Sequence, residues 1–342
     1  MDANHIEIFP SGAIKLGEKV VCDGFHRDYS IRVQTHIHDD HMHDFDTSKG
    51  RQTIYLTEPT RRLLIAEFDA DLPWRQNLIP LQIGVTKVVE GSRILLLPAD
   101  HMLGSVQVVV QLENGMRVGY SGDFHWPLKE VIKVDQLVLD STYGSPNCIR
   151  KYSQEEAEAR LLELVMEKVR LGPVHVKAHR GTLHRAMQVL CEIEKWPIIV
   201  SRRLASEIRI YREFGYAIGE FLLMDSCEGQ EAVGSGRYVR LYGKGDRFPV
   251  DIPNGVTMVL SAFASDFKNP VMEYSERSLS VALTDHADFE GVLEYVRATG
   301  ANYVVTDNAR GGHAVELAQE VRDRLGITAI PSYFESSREW GV

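Results

Sequence analysis

The 342-residue sequence predicts an α/β protein in two parts, and three observations point that way. Short apolar segments separated by turns fill the first 140 residues, strand-like and helix-like segments alternate from about residue 174, and the chemically active residues repeatedly stand just after a predicted strand. With 44% apolar residues, a chain of this length can bury a sizeable core.

IEIF, KVVCDG, IRVQTH and TIYLT read as strands because β-branched and aromatic residues gather there between turn formers. PTRRLLIAEFD is the one helix among them. SRILLLPADH follows, and then SVQVVVQL and MRVGYSGD, joined by Asn114–Gly115, a pair that accepts the positive φ of a tight hairpin turn. After QLVLDSTYG the texture changes. Ser153 and Glu156 form a capping box, and Ala157, Leu161, Leu164 and Val165 recur at helical spacing. PVHVKAH, a helix opening with GTLHRAM, PIIVS and a helix over RLASEIRIYREFG alternate as βα units, which favours a separate parallel sheet. From about Glu228 to Pro253, Gly and charge predict irregular chain with short strands. SLSVALTDH with DFEGVLEYVRATG, and ANYVVTD with HAVELAQEVRDRLG, add two more strand–helix units. The expected division is a core from 1–144 and 275–342 around a second domain from 145–274.

Composition narrows the function. Cys22, Cys148, Cys191 and Cys227 are far apart and show no CxxC spacing, so neither a disulfide framework nor a zinc ribbon is expected. A net charge of −10 argues against coating nucleic acid by bulk electrostatics, although an enzyme acting on it remains open. The opening MDANHIEIFPSGAIKLG lacks the basic start and apolar stretch of a signal peptide, and no run of apolar residues is long enough to span a bilayer. The expectation is a soluble cytoplasmic protein with no membrane partner.

THIHDDHMHD, residues 35–44, holds four histidines and three aspartates. His36, His38, Asp40 and His41 have the spacing HxHxDH. In a loop leaving a strand, alternate side chains converge on one point while the neighbouring Asp–His pair reaches a second. Zinc takes imidazole and carboxylate donors at about 2.0–2.2 Å, and two cations about 3.5–4 Å apart can activate water and neutralise a phosphate together. The plain alternative is a solvated His-rich loop. Against it stand His101, Asp123, Asp140, His286 and Asp307, each also just after a predicted strand, where α/β sheets place ligand sites.

This motif series resembles the metallo-β-lactamase fold: Asp23 after an early strand, HxHxDH, the histidine of PADHMLGS and the aspartate of YSGDF. DSTYG and TDHAD, on either side of the βα-rich insert, extend the resemblance to the β-CASP nuclease branch. SGAIKLG, LVLDSTYG, VALTDHADFEGVLEYV and IYREFG are most similar to the DNA ligase-associated exonucleases and DNA cross-link-repair nucleases. The resemblance implies an αββα sandwich with an inserted β-CASP cap domain. It also implies metal-dependent hydrolysis of DNA phosphodiester bonds, on single strands from an end, in DNA repair. The expected cofactor is Zn2+, two per chain, with Mn2+ as a substitute. The expected partner is nucleic acid, DNA favoured over RNA, with DNA ligase or helicase association implied by the resemblance alone.

By the same resemblance, His36, His38 and His101 hold one metal, Asp40 and His41 the other, and Asp123 bridges them, so that Asp40 belongs to the catalytic set as well as the ligands. Asp23 orients a ligand from behind. His286 is a general acid whose imidazole Asp140 holds in one tautomer. Gly181, flanked by Arg180, His184 and Arg185, is a candidate phosphate-binding turn at a helix start, with a plain helix start as its alternative. His43 is expected to face solvent and His313 to sit near a helix start. Many β-CASP ribonucleases carry a histidine where this chain has Asp307, which leaves the second metal's ligand set open and tilts the substrate toward DNA. The competing readings are a ribonuclease with the same machinery, a small-molecule hydrolase sharing only HxHxDH, and a non-catalytic nucleic-acid-binding scaffold.

Overall fold

A computed structural model describes residues 5–48, 50–68, 74–193, 195–249, 252–264 and 266–332. The chain divides into two compact units, one of Met1–Leu64, Ala70–Ile149 and His286–Val342, the other of Ile65–Asp69 and Arg150–Asp285.

The first unit contains two sheets. One is formed in chain order by β1 (Ile6–Ile8), β2 (Ile14–Leu16), β3 (Val20–Cys22), β4 (Ile31–Val33), β5 (Thr53–Leu56) and β6 (Leu78–Pro80). The other begins with the antiparallel strands β7 (Lys87–Val89), β8 (Ser92–Pro98), β9 (Val106–Gln111) and β10 (Arg117–Tyr120). It continues in parallel through β11 (Gln136–Leu139), β19 (Tyr303–Thr306) and β20 (Thr328–Pro331). Ile14, Ile31 and Val33 of the first sheet share one buried cluster with Val106, Val108, Val118 and Tyr120 of the second, so the sheets face each other across a common core. The β9–β10 hairpin turns at Asn114–Gly115 as expected, with Gly115 at φ 89°. Helix α1 (Glu58–Phe68) follows β5, and α6 (Phe289–Thr299) and α7 (Ala314–Leu325) flank β19 in sequence. Asp288 caps α6 by accepting from Gly291 N at 3.0 Å, and left-handed Gly300 and Gly326 end the two helices.

The second unit has its own seven-stranded sheet, ordered β14–β13–β15–β12–β16–β18–β17. Its strands are β12 (Val174–Ala178), β13 (Ile198–Val200), β14 (Leu222–Leu223), β15 (Val239–Tyr242), β16 (Val256–Leu260), β17 (Val271–Ser275) and β18 (Ser278–Val281). All pair in parallel except β17, as the βα alternation predicts. Ser153 caps α2 (Gln154–Lys168) by accepting from Glu156 N at 3.1 Å. Helices α3 (Thr182–Leu190), α4 (Arg202–Glu213) and α5 (Cys227–Gly234) complete the unit.

Two elements differ from expectation. SLSV, assigned by sequence to the core, lies as β18 beside β16, where Leu279 and Val281 are buried, and the second unit runs on to Asp285. The stretch expected to be irregular opens with α5, because Ser226 accepts from Gly229 N at 3.0 Å and nucleates a turn despite the glycines; of that stretch, residues 250 and 251 lie outside the described residues. No helix among the described residues is long and apolar enough to cross a membrane, and the four cysteines are free thiols.

Candidate metal centre

Five strand ends of the first unit carry the site. β4 leads into His36 and His38, and a single 3-10 turn over Asp39–His41 brings the backbone round so that His41 points back inward. Two polar side chains on either side of Val33 fix this loop from beneath. Buried Arg32 donates to the carbonyls of His43 at 3.0 Å and His41 at 3.3 Å, and to Gln34 Oε1 at 2.7 Å. Gln34 Nε2 donates to the carbonyls of His36 at 2.7 Å and His41 at 3.0 Å. After β8, Ser105 Oγ accepts from the backbone N–H groups of His101 and Met102, both at 3.1 Å, and shapes the turn that presents the His101 ring. After β10, Gly122 has φ 58°, and a Cβ there would lie 2.7 Å from Val106 O. Only glycine fits, and that sharp turn swings Asp123 into the centre.

Four imidazoles surround the Asp123 carboxylate. Oδ2 lies 3.5 Å from His36 Nε2, 3.6 Å from His101 Nε2 and 3.8 Å from His286 Nε2, and Oδ1 lies 3.1 Å from His41 Nε2. His38 Nδ1 is 3.0 Å from His101 Nε2. One donor atom from each of His36, His38, His101 and Asp123 falls within 4.8 Å of the others. Tetrahedral zinc at the usual bond lengths needs donors about 3.4 Å apart, so a small contraction suffices. The Nε2 atoms of His36, His38 and His41 are buried with no hydrogen-bond partner. Leaving three such nitrogens unsatisfied is costly unless something absent from the polypeptide binds them, so these residues fit a metal cation.

The electrostatics agree. Burial, with the neighbouring histidines, drives His36 and His38 well below the ordinary histidine pKa, which keeps them as the neutral rings a cation needs. Burial also opposes charge on His41, but Asp123 and Asp40 outweigh it and hold His41 well above its ordinary value. Asp123 is itself held well below the usual carboxylate range, His41 overcoming the cost of burial. Asp40 is half exposed, its Oδ2 3.8 Å from His41 Nε2.

The other sequence candidates sort plainly. Asp23, in the left-handed region at φ 52°, is fully buried, and its Oδ2 lies 2.8 Å from His41 Nδ1. His286 Nδ1 lies 3.3 Å from Asp140 Oδ2, while Asp140 Oδ1 accepts from Thr142 N at 2.9 Å and Thr142 Oγ1 at 2.7 Å. His313 is the N-cap residue of α7. His43 is only part-exposed, its ring packed over Gly12. Asp307 turns away from the histidines: its Oδ2 accepts from Arg310 Nη1 at 2.7 Å, and Arg310 Nη2 also reaches the carbonyls of Gly12 at 2.8 Å and Asp23 at 3.3 Å. Sequence reasoning missed Arg32, Gln34, Ser105 and Thr142.

In the second unit the side chains around Gly181 do not form the expected anion cradle. Gly181 is the N-cap residue of α3, without a side-chain cap. Arg180 donates to Glu207 at 3.0 and 3.1 Å and to Glu67 at 2.7 Å, and Arg185 to Glu158 at 2.5 Å. His184 stacks on Tyr211 with ring centroids 3.8 Å apart, and burial with Arg180 nearby lowers its pKa to about 3. Both guanidiniums are paired with carboxylates and the imidazole is neutral, so these side chains do not gather as free donors around Gly181.

No family model matches the chain. It is 39% identical over 112 residues to an uncharacterized protein in the lig 3′ region of Acidianus ambivalens, covering 32% of this chain and 79% of that one. It is 23% identical over 319 residues to a probable DNA ligase of Opitutus terrae, covering 90% of this chain and 29% of the ligase. With the DNA cross-link repair 1A protein of Homo sapiens it shares 30% identity over 145 residues, 41% of this chain and 14% of that one. It thus spans less than a third of the length of the latter two relatives. The crystal structure of a protein of unknown function from Enterococcus faecalis shares the fold, with TM-score 0.57 and 13% identity over 82% of this chain and 76% of that one. Paired sheets with donor-bearing strand ends, a parallel-sheet insert and these relatives converge, and the chain belongs to the β-CASP branch of the metallo-β-lactamase fold family.

Proposed function

We propose that this protein is a metal-dependent nuclease that hydrolyses phosphodiester bonds of DNA, acting on single strands from an end in DNA repair. The observation that carries the reading is the set of buried, unpartnered imidazole nitrogens gathered on Asp123, with the Asp140–His286 pair alongside. The names of the relatives, a probable DNA ligase and a DNA cross-link repair protein, favour DNA as substrate and a ligase as partner. Free thiols in all four cysteines suit the cytoplasm.

His36, His38, His101 and Asp123 would hold one cation, and Asp40 and His41, with Asp123, a second; zinc suits this nitrogen-rich set and manganese is the substitute. When bound, such cations polarise the phosphoryl oxygens and lower the pKa of water. The protein's own residues do the rest. Asp140 accepts from His286 Nδ1–H and, as an anion, stabilises the doubly protonated ring, whose transferable proton sits on Nε2, the nitrogen that faces Asp123. From there it passes to the sugar oxygen leaving phosphorus, which would otherwise depart as an alkoxide. Thr142 holds Asp140 through two hydrogen bonds, so the carboxylate keeps its aim on the imidazole.

The test is to incubate the protein with end-labelled single strands of DNA and RNA, with and without a 5′-phosphate, in zinc and in manganese. Stepwise shortening of DNA is expected. Cleavage of RNA alone would reassign the substrate, and no cleavage in any arm would remove the nuclease reading.

A further inference from the structure

Asp23 and His41 account for only part of the polar contacts behind the centre. Thr35 Oγ1 lies 2.5 Å from Asp23 Oδ2 and 3.0 Å from His36 Nδ1, and Thr35 N donates to Asp23 Oδ1 at 2.7 Å. Thr35, Asp23, His36 and His41 are all fully buried, so no solvent competes for these contacts.

A hydroxyl has one proton to give. The shorter contact, to a carboxylate, takes it, because hydrogen bonds to an ionised acceptor are shorter and stronger than neutral ones. The Thr35 oxygen is then left only as an acceptor toward His36, and the partner it can accept from is His36 Nδ1–H. That fixes the proton of His36 on Nδ1 and leaves Nε2, which is buried, without a hydrogen-bond partner and 3.5 Å from Asp123, as a bare lone pair. Asp23 acts on His41 directly in the same sense, through Nδ1 at 2.8 Å.

We infer that Thr35 is a positioning residue that relays the Asp23 carboxylate to His36, so one buried carboxylate sets the tautomers of two imidazoles on opposite oxygens of Asp123. For His36 the tautomer is set before any cation arrives, and the cation meets a ring nitrogen that need neither rotate nor lose a proton. The role rests on the reading of His36 as a metal donor.

The test uses the full-length protein as wild type, Thr35→Val and Thr35→Ser. Long-range 1H–15N imidazole spectra of the metal-free protein read each tautomer, and competition with a chromogenic chelator reads zinc affinity. In the wild type, His36 is expected to carry its proton on Nδ1. Thr35→Val is nearly isosteric and keeps the backbone link to Asp23; it should release the His36 tautomer, leave His41 unchanged and weaken zinc about 10–100-fold. Thr35→Ser should restore both readouts. A wild-type His36 protonated on Nε2, or a Thr35→Val protein with wild-type tautomer and affinity, would overturn the role. A wild type that holds no zinc while His36 keeps the Nδ1 proton would instead overturn the metal reading and leave the relay standing. Should Thr35→Val not fold, the wild-type spectrum still decides the tautomer.

Discussion

The loop after β4 and the start of α3 look alike in sequence, since each crowds histidine with charge, but their side chains do opposite things. At the loop, three ring nitrogens are buried without partners and gather on one carboxylate. At α3, Arg180 and Arg185 are matched by Glu207, Glu67 and Glu158, and the one unpartnered ring, His184, stands alone against Tyr211. A single orphaned imidazole is a packing compromise. Several gathered on one point are a donor set that fits a cation.

The contrast can be broken most directly at Asp123. Asp123→Asn keeps the shape and removes the charge, and both DNA cleavage and zinc retention should collapse, with affinity down at least about 100-fold; unchanged zinc content by metal analysis would abolish the distinction between the two regions. His286→Ala should retain zinc and lose about 10²–10⁴ in cleavage rate, partly regained with a substrate whose leaving group needs no proton. Absence of that rescue would make His286 structural.

In the other region, Glu207→Ala removes two hydrogen bonds from the buried Arg180, which keeps Glu67, and should cost about 2–3 kcal/mol in urea unfolding while zinc affinity stays put. A change in zinc affinity would mean the two regions are not independent. A pH series sharpens the same point. Burial holds His184 near a pKa of about 3 and His175 near about 4, against 6.5 for the free side chain. Both are neutral when folded, so the unfolded chain takes up protons first; their contribution is complete above pH 6.5 and is lost as pH falls toward about 4 and then about 3. The urea midpoint should drop between pH 7 and pH 4.5, and His184→Phe should flatten that slope; an equal slope in the variant would refute the assignment. The smallest effect is expected at Arg185→Ala, within twofold in cleavage and under about 1 kcal/mol in stability. A tenfold loss confined to 5′-phosphorylated DNA would return Arg185 to the substrate.

Legibility followed the range of the interaction. HxHxDH, the Asn114–Gly115 hairpin and the Ser153 cap are set by neighbours in the chain, and spacing revealed them. Asp140 and His286 are 146 positions apart yet meet, and although Asp140 follows β11 and His286 follows β18 of another sheet, the motif strings marked both. Nothing local in IRVQ marks Arg32 and Gln34 as buried; they are buried because the histidine loop folds back and offers them its carbonyls. The carboxylates that pair with Arg180 lie 27 and 113 positions away, so a count of local cations could not show that this one is already matched. Asp307 was an open ligand in the text and is taken by Arg310, three residues on, whose own contacts reach back to Gly12.

That last contact spans 298 positions and fastens late chain to early chain beside Asp23. During synthesis the donors of the histidine loop leave the ribosome long before His286 and Arg310 do. A nascent chain that stops short of residue 286 therefore carries the loop without this clasp and, on the nuclease reading, without the group that protonates the leaving oxygen.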